Sequence, residues 1–401
     1  MDPGTFDLPY LLGIKKMGFN RISLGVQSFD DALLATMGRV HRAADVYRSI
    51  EMIKQVFGEE EANYSIDLIS GVPGLTLAKW TETLYKVGQL RPRPRHLSLY
   101  DLQVEKGTTF GKWYKDHDVA MEDDVVINVP PKNSDSTSSS SSSHHHRPAL
   151  PTAEDSAFMY SYASGYLRSR GYEHYEISSY ALKTSTPIDN DKNDNNNGRP
   201  MSHRSKHNQI YWQYDGRWYA IGLGATSNVN GVRFARPRAL SDYISWTEGL
   251  VLQENGTDSL TPGQVGGVGD DNDDDVIENP PPWRSNPNAN DDDGLTEEDE
   301  KNDNLLEIVM TRLRTSEGLN LDWIADHEKY GETHVDAILR GFELALELEL
   351  GAREEATATA NTTTSTPRGK YGCIRLNDPK GFLFSNNIIS NIFVELEDLD
   401  S

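Results

Sequence analysis

The chain has 401 residues, of which 36% are hydrophobic, and a formal net charge of −23. This acidic balance argues against nucleic-acid or phosphate binding over a large surface as the main function. Cys373 is the only cysteine, which excludes an internal disulfide framework and a zinc or iron–sulfur site built from several cysteines of this chain.

Residues 1–115 alternate helical and strand patterns. Apolar spacing predicts helices at 7–17, 30–37, 43–56 and 77–90, and aliphatic runs predict strands at 20–27, 65–69 and 96–102. Strand–helix–strand units of this length indicate parallel strands with helical crossovers. Three such units make half of a barrel, so we expect an unpaired edge at strand 20–27.

Two of these strands carry a polar residue where the pattern is otherwise apolar, Gln27 in the first and Asp67 in the second. Burying such a side chain is costly unless it meets a partner or a ligand. Without a ligand, Gln27 would bond neighbouring backbone groups, Asp67 would cap the turn at Gly71, and Arg39 would form a surface ion pair. From the residues alone, both readings stay open.

The middle of the chain contains polar segments between more apolar ones. Residues 116–152 form a Ser-rich linker with three adjacent histidines, 144–146, which low complexity makes a poor metal-site candidate. Residues 153–252 predict a small α+β domain with a polar insert at 183–205. Its predicted elements are a helix at 152–170, a strand at 172–181, short strands at 207–212 and 218–229, and a helix at 241–250.

Residues 253–304 are acidic and rich in Gly, Pro and Asn, which predicts a disordered insert. The last segment, 305–401, predicts a helical, winged-helix-like domain. Its predicted elements are helices at 305–313, 322–329, 334–348 and 386–396 and a strand at 372–376. The whole chain therefore predicts an α/β protein with a partial barrel followed by two smaller domains.

Three segments in order, GFNRISLGVQSFDDALLATMGRVH, YSIDLISGVPGLTLAKW and RHLSLYDLQVEKGTTF, resemble the second half of a radical S-adenosylmethionine (SAM) (β/α)6 barrel. More narrowly, they resemble the oxygen-independent coproporphyrinogen III oxidases and their haem-chaperone (HemW-type) relatives. The later motifs YEISSYA, HNQIYW, YAIGLGATS and GFLFSNNIISNIF are similar to those of the haem-chaperone branch.

The resemblance implies a [4Fe-4S] cluster held by a CxxxCxxC loop, with SAM bound to its open iron. Those three cysteines are absent here, so this chain alone is not expected to bind the cluster or to be catalytically active. Asp2 to Thr5 match the tail of a segment that contacts SAM, which suggests an N-terminal truncation with the true start upstream. By resemblance, Gln27, Arg39, Asp67 and Gln103 are the SAM contacts that remain.

The haem-chaperone branch implies haem as a bound partner and a haem-accepting protein as its recipient. His207, in HNQIYW, is the candidate iron ligand, with Tyr211 and Trp212 able to pack against a porphyrin. The alternative is a histidine that bonds backbone groups within a small sheet. His174 and Tyr175 are further candidates, and Cys373 is expected to be a buried small apolar residue.

Three functions remain open. The first is a haem chaperone, the second a coproporphyrinogen III oxidase-type enzyme that decarboxylates by radical chemistry, and the third an inactive truncated product. No apolar run approaches the roughly 18 residues of a membrane span, and the N-terminus lacks signal or transit character. We therefore expect a cytoplasmic protein as written, or a mitochondrial or plastid one if a targeting segment lies upstream.

Overall fold

The structure is a computed structural model that describes residues 1–114, 147–183, 203–214, 216–229, 232–256, 297–354 and 370–399. The three adjacent histidines, and most of the Ser-rich linker and of the two polar inserts, lie outside these residues. The described residues form two compact units, Met1–Ser205 with Arg312–Ser401, and Lys206–Thr311.

The first unit is built on a five-stranded sheet with the strand order β1-β2-β3-β5-β4. The strands are β1 (Ile22–Gln27), β2 (Tyr64–Ser70), β3 (His96–Asp101), β4 (Tyr172–Glu176) and β5 (Ser179–Leu182). The helices are α1 (Leu8–Lys16), α2 (Asp31–Thr36), α3 (Ala43–Phe57), α4 (Leu77–Gln89), α5 (Thr109–Trp113) and α6 (Ala153–Ser169). β1, β2 and β3 are parallel, which confirms the predicted crossover units.

Local signals explain where these helices begin. The Asp7 side chain accepts a hydrogen bond from the Tyr10 backbone at the start of α1, and Asp30 and Thr76 cap α2 and α4 in the same way. The outer face of the sheet buries Leu24, Ile66 and Leu97, all with no exposed surface. The core is therefore made by the alternate strand residues, and the opposite, inner face carries the polar ones.

The predicted strand at 172–181 is in fact a hairpin. β4 and β5 are antiparallel, and β5 also pairs antiparallel with β3. The sequence predicted β4 and β5 as one strand because the two-residue turn between them, Ile177 and Ser178, contains no Gly, Pro, Asn or Asp.

The edge at β1 is partly paired, contrary to the expectation. The Met1 amino group donates to the Ser23 carbonyl oxygen at 2.7 Å, and the Gly25 amide donates to the Met1 carbonyl oxygen at 3.0 Å. Two backbone groups of this edge strand are therefore satisfied by the first residue of the chain.

The second unit contains α7 (Lys206–Tyr211), the antiparallel pair β6 (Thr226–Val229) and β7 (Val232–Ala235), α8 (Leu240–Gly256) and most of α9 (Glu297–Leu313). The prediction of a strand at 207–212 was wrong, because residues 207–211 belong to the helix α7. α8 and α9 also extend into the range 253–304 that was predicted to be disordered.

The C-terminal part of the first unit combines helices with a three-stranded antiparallel sheet of order β8-β10-β9. Its elements are β8 (Leu319–Asn320), α10 (Leu321–Asp326), α11 (Glu332–Glu347), β9 (Gly351–Glu354), β10 (Cys373–Leu376), α12 (Lys380–Leu383) and α13 (Ser385–Glu397). Throughout the described ranges, no helix has both the length and the apolar character needed to cross a bilayer.

Candidate functional site

Gln27 ends β1 in an unusual backbone conformation. Its φ of 62° is in the left-handed region, and the Ser28 amide donates to the Val26 carbonyl oxygen at 2.7 Å across it, which makes a tight γ-turn. The buried His41 ring also contacts that carbonyl, with Nε2 3.1 Å from the oxygen. Because a carbonyl only accepts, His41 Nε2 carries the proton. His41 thereby ties the loop that contains Arg39 to the end of β1.

The missing side chain of Gly25 leaves space beside β1 for the side chains of Gln27 and Asp2. A Cβ at Gly25 would lie 2.9 Å from both the Asp2 carboxylate oxygen and the Gln27 amide nitrogen. Arg39 Nη1 is 4.0 Å from the same Asp2 oxygen. Arg39 thus faces a carboxylate of its own chain, so the ion-pair alternative for this residue describes the contact present here.

Asp67 lies on the inner face of the sheet, beside β1. Its carboxylate accepts a hydrogen bond from the Ser23 hydroxyl at 3.1 Å, and it pairs in register with Ser98 of β3. The alternative in which Asp67 caps the Gly71 turn was wrong. Gln27, Arg39 and Asp67 are therefore grouped around the inner side of β1, with two of them next to Asp2.

Gln103 stands apart from this group. It follows the end of β3, is exposed, and shares no hydrogen bond with the other three predicted contacts. Its assignment stays a prediction that depends on the resemblance alone.

His207 lies in the second unit on α7 and is exposed. The Tyr211 ring, four residues on and so on the same helix face, meets it edge to face with ring centres 5.2 Å apart. Tyr211 in turn contacts Trp218 at 4.7 Å. The alternative of a histidine inside a small sheet was wrong, and Trp212 directly follows the end of the helix.

His174 has no free ring nitrogen for a haem iron. Its Nδ1 lies 2.7 Å from Asp378 Oδ1, and its Nε2 lies 3.2 Å from the Ile177 carbonyl oxygen. The ring is buried and stacks on Tyr180 with centres 4.0 Å apart. These contacts give His174 a structural role.

Tyr175 is likewise committed to a buried pair. Its hydroxyl lies 2.7 Å from His96 Nε2 and accepts a bond from the Ser205 amide at 3.2 Å. Burial raises the pKa of Tyr175. Burial, and then the nearby Arg21 charge, lowers the pKa of His96 to about 3, so both rings are neutral at physiological pH.

The residues of this chain do not fit a three-cysteine [4Fe-4S] site. Cys373, the only cysteine, begins β10 and donates from Sγ to the Glu317 carbonyl oxygen at 3.3 Å. It is half-buried rather than buried, and burial is the main cause that raises the pKa of its thiol. Nor do three or more His, Cys, Asp or Glu side chains gather into a metal-binding group anywhere in the described part of the chain.

Sequence reasoning missed the residues that shape this site rather than those that would touch a ligand. His41, Gly25 and Ser23 were not singled out, and Asp2 was not anticipated as the ionic partner of Arg39. Only Gly25 left a signal, since a glycine inside a strand marks a close approach.

Comparison with known proteins shows which family this chain resembles. The family model of the radical SAM superfamily matches residues 3–86. A protein of Synechocystis sp. named heme chaperone HemW is 31% identical over 398 residues, which are 99% of this chain and 74% of that protein.

Other relatives match over shorter ranges. A heme chaperone HemW of Bacillus subtilis is 29% identical over 243 residues, 61% of this chain and 50% of that protein. A bovine protein named radical S-adenosyl methionine domain-containing protein 1, mitochondrial, is 28% identical over 251 residues, 61% of this chain and 45% of that protein.

Among solved structures, the coproporphyrinogen III oxidase (HemN) of Escherichia coli, a radical SAM enzyme, matches with a TM-score of 0.53 and 16% identity. The match covers 98% of this chain and 68% of that one, and at this identity it shows a shared fold. Together with the mixed α/β architecture and the relative at 31% identity, it places this chain in the HemW/HemN-like family of radical SAM proteins.

Proposed function

We propose that this chain binds haem as a cargo and passes it to an acceptor protein. The observation that carries the proposal is the exposed His207 imidazole, which stands beside Tyr211 on one face of α7. The relatives named heme chaperone HemW support the same activity.

The chemistry of α7 suits a porphyrin. A neutral imidazole donates a nitrogen lone pair to haem iron, and aromatic rings pack favourably against the macrocycle. His207 Nε2 makes only a long contact of 3.5 Å with the Tyr211 hydroxyl. Little hydrogen bonding therefore has to be lost before the ring binds iron.

The inner face of the sheet supports a second part of the proposal, contact with SAM through Gln27, Arg39, Asp67 and Gln103. The Arg39 guanidinium suits the ligand carboxylate, because two parallel N–H groups match two carboxylate oxygens. The Asp2 carboxylate now lies beside Gly25 and 4.0 Å from Arg39, so the ligand carboxylate would take the place of Asp2 on Arg39. Radical chemistry is not part of the proposal, since the chain lacks the cysteines for a cluster.

Haemin titration followed in the Soret band tests the haem proposal. We expect the wild-type chain to shift the Soret band on binding, and His207→Ala to lose the shift because the iron ligand is removed. His327→Ala, a histidine at the end of α10 in the other unit, is the matched control and should keep it. A wild-type chain without a Soret shift, or an equal shift in His207→Ala, would contradict the assignment.

A further inference from the structure

A row of ring contacts starts at His207 and ends at the guanidinium of Arg233. The guanidinium of Arg233, on β7, lies 5.4 Å from the centre of the Trp218 ring, which contacts Tyr211. His207, Tyr211, Trp218 and Arg233 thus form one connected row within the second unit. We call this set the α7–β7 row.

Strand pairing fixes the far end of the row. Asn228 pairs directly with Arg233 across the β6–β7 hairpin, and it exchanges two backbone hydrogen bonds of 2.9 Å with Trp218. Residues directly opposite each other on neighbouring strands point to the same face of a sheet. The indole is held further by its own bond to the Thr226 carbonyl oxygen at 2.9 Å. Trp218 and Arg233 therefore share a face because of the backbone register.

Arg233 is partly exposed and has one ionic partner among the described residues, Glu307 of α9. Its side chain is 48% exposed and that of Glu307 is 34% exposed, so solvent reaches both groups. An ion pair as open as this one contributes little stability, and a carboxylate from another molecule can exchange with Glu307.

The other nearby arginine of this hairpin cannot serve in the same way. Arg236 is buried and donates to the Ser227 hydroxyl at 2.9 Å. It lies over the rings of Tyr219, Phe234 and Trp246. Those contacts hold its guanidinium inside the unit, whereas Arg233 stays at the surface beside the aromatic row.

We propose that Arg233 binds a propionate carboxylate of the haem, exchanging its pair with Glu307 for the porphyrin. This inference depends on the proposed function, in which His207 binds the iron. A planar guanidinium binds a carboxylate through two parallel hydrogen bonds, and aromatic rings at one end of the row with a cation at the other match the apolar ring and anionic edge of haem. Arg233 then sets the affinity and orientation of haem, while His207 sets the ligation of its iron.

The test compares haemin with haemin dimethyl ester, in which both propionates lose their charge. For the wild-type chain we expect tighter binding of haemin than of the ester. Arg233→Gln should weaken haemin binding on the order of tenfold, the loss of one charge-assisted pair, and leave ester binding and the position of the Soret maximum unchanged. Glu307→Gln should tighten haemin binding severalfold, because it frees Arg233.

Arg238→Gln, an exposed arginine beyond the end of β7, is the matched control and should behave like the wild type. Arg233→Lys keeps the positive charge but loses the two parallel N–H groups of the guanidinium. Its affinity for haemin should lie between those of the wild type and Arg233→Gln. The propionate assignment would be refuted if Arg233→Gln lost equal affinity for haemin and for the dimethyl ester, or lost affinity for neither. A wild-type chain without any Soret response would refute haem binding itself, so the two failures are distinguishable.

Discussion

Asp378 connects the C-terminal part of the first unit to the barrel sheet. Its Oδ1 accepts bonds of 2.7 Å from both the Ser164 hydroxyl and His174 Nδ1, and Arg168 lies 3.3 Å from its Oδ2. Both nitrogens of His174 face oxygen atoms, those of the Asp378 carboxylate and of the Ile177 carbonyl. The pair is thus a buried, charge-assisted contact between distant parts of the chain.

Asp378→Asn keeps the shape of the side chain and removes its charge. Hydrogen bonds to a charged group contribute about 1.5–3 kcal/mol each, and Asp378→Asn removes the charge that the Ser164 hydroxyl, His174 Nδ1 and Arg168 contact. Because the Asp378 side chain is 20% exposed and the amide oxygen still accepts one bond, we expect a loss of about 2–3 kcal/mol in the free energy of unfolding. Asp336→Asn, at an exposed position of α11, should change it by less than about 0.5 kcal/mol.

The contribution of Asp378 to the free energy of unfolding depends on pH through its carboxyl group. Burial by itself raises the pKa of Asp378, but the hydrogen bonds and charges of His174, Ser164 and Arg168 outweigh it and hold the pKa below 3.8. A carboxyl with a depressed pKa stabilises the fold above its ordinary value, and that stability is lost as the pH falls through the lowered one. The difference between wild type and Asp378→Asn should therefore shrink at pH values well below 3.8.

Urea unfolding followed by circular dichroism, at neutral and at acidic pH, measures both effects. A double-mutant cycle with His174→Asn should give a coupling free energy above about 1 kcal/mol. Equal unfolding free energies for the wild type and Asp378→Asn at neutral pH would refute the reasoning. So would a difference that does not change with acidification.

Two further predictions concern the inner face of the sheet and the cluster. Gly25→Ala should cost less than about 1 kcal/mol of stability, because the Asp2 carboxylate and the Gln27 amide, which lie 2.9 Å from its Cβ, are the ends of flexible side chains and can move aside. Thermal unfolding measures this, and a loss larger than about 1 kcal/mol relative to the wild type would show that these two side chains are held in place. Anaerobic reconstitution with iron and sulfide should leave the chain without the visible absorption of a [4Fe-4S] cluster, and stoichiometric incorporation of such a cluster would show that other residues replace the cysteines.

Local sequence signals were sufficient for α1 to α4 and for the parallel strands of the first 115 residues, whereas the short helix α5 was missed. Capping residues such as Asp7, Asp30 and Thr76 mark where helices begin, and apolar periodicity marks the faces that are buried. These signals were correct here because they act between residues that are close in the chain. The family could be inferred for the same reason, since its motifs are short and contiguous.

The same local reasoning failed at HNQIYW and at the β4–β5 hairpin. Ile210 and Tyr211 favour strands, yet residues 206–211 are helical, because the strand propensity of single residues depends strongly on context. The hairpin turn at Ile177 and Ser178 contains no Gly, Pro, Asn or Asp, and serine is a weaker turn signal than these. Local composition alone could not separate these cases from the ones in which it succeeded.

The sequence by itself determined the fold class, the family and the candidate residues Gln27, Arg39, Asp67, Gln103 and His207. Only the tertiary structure decided how such residues are partnered. Arg39 faces Asp2, His174 pairs with Asp378, and Arg233 lies beside Trp218 at the end of the row that starts at His207. The physical reason is that hydrogen bonds and ion pairs form between groups that the folded backbone brings within a few ångströms, whatever their separation along the chain.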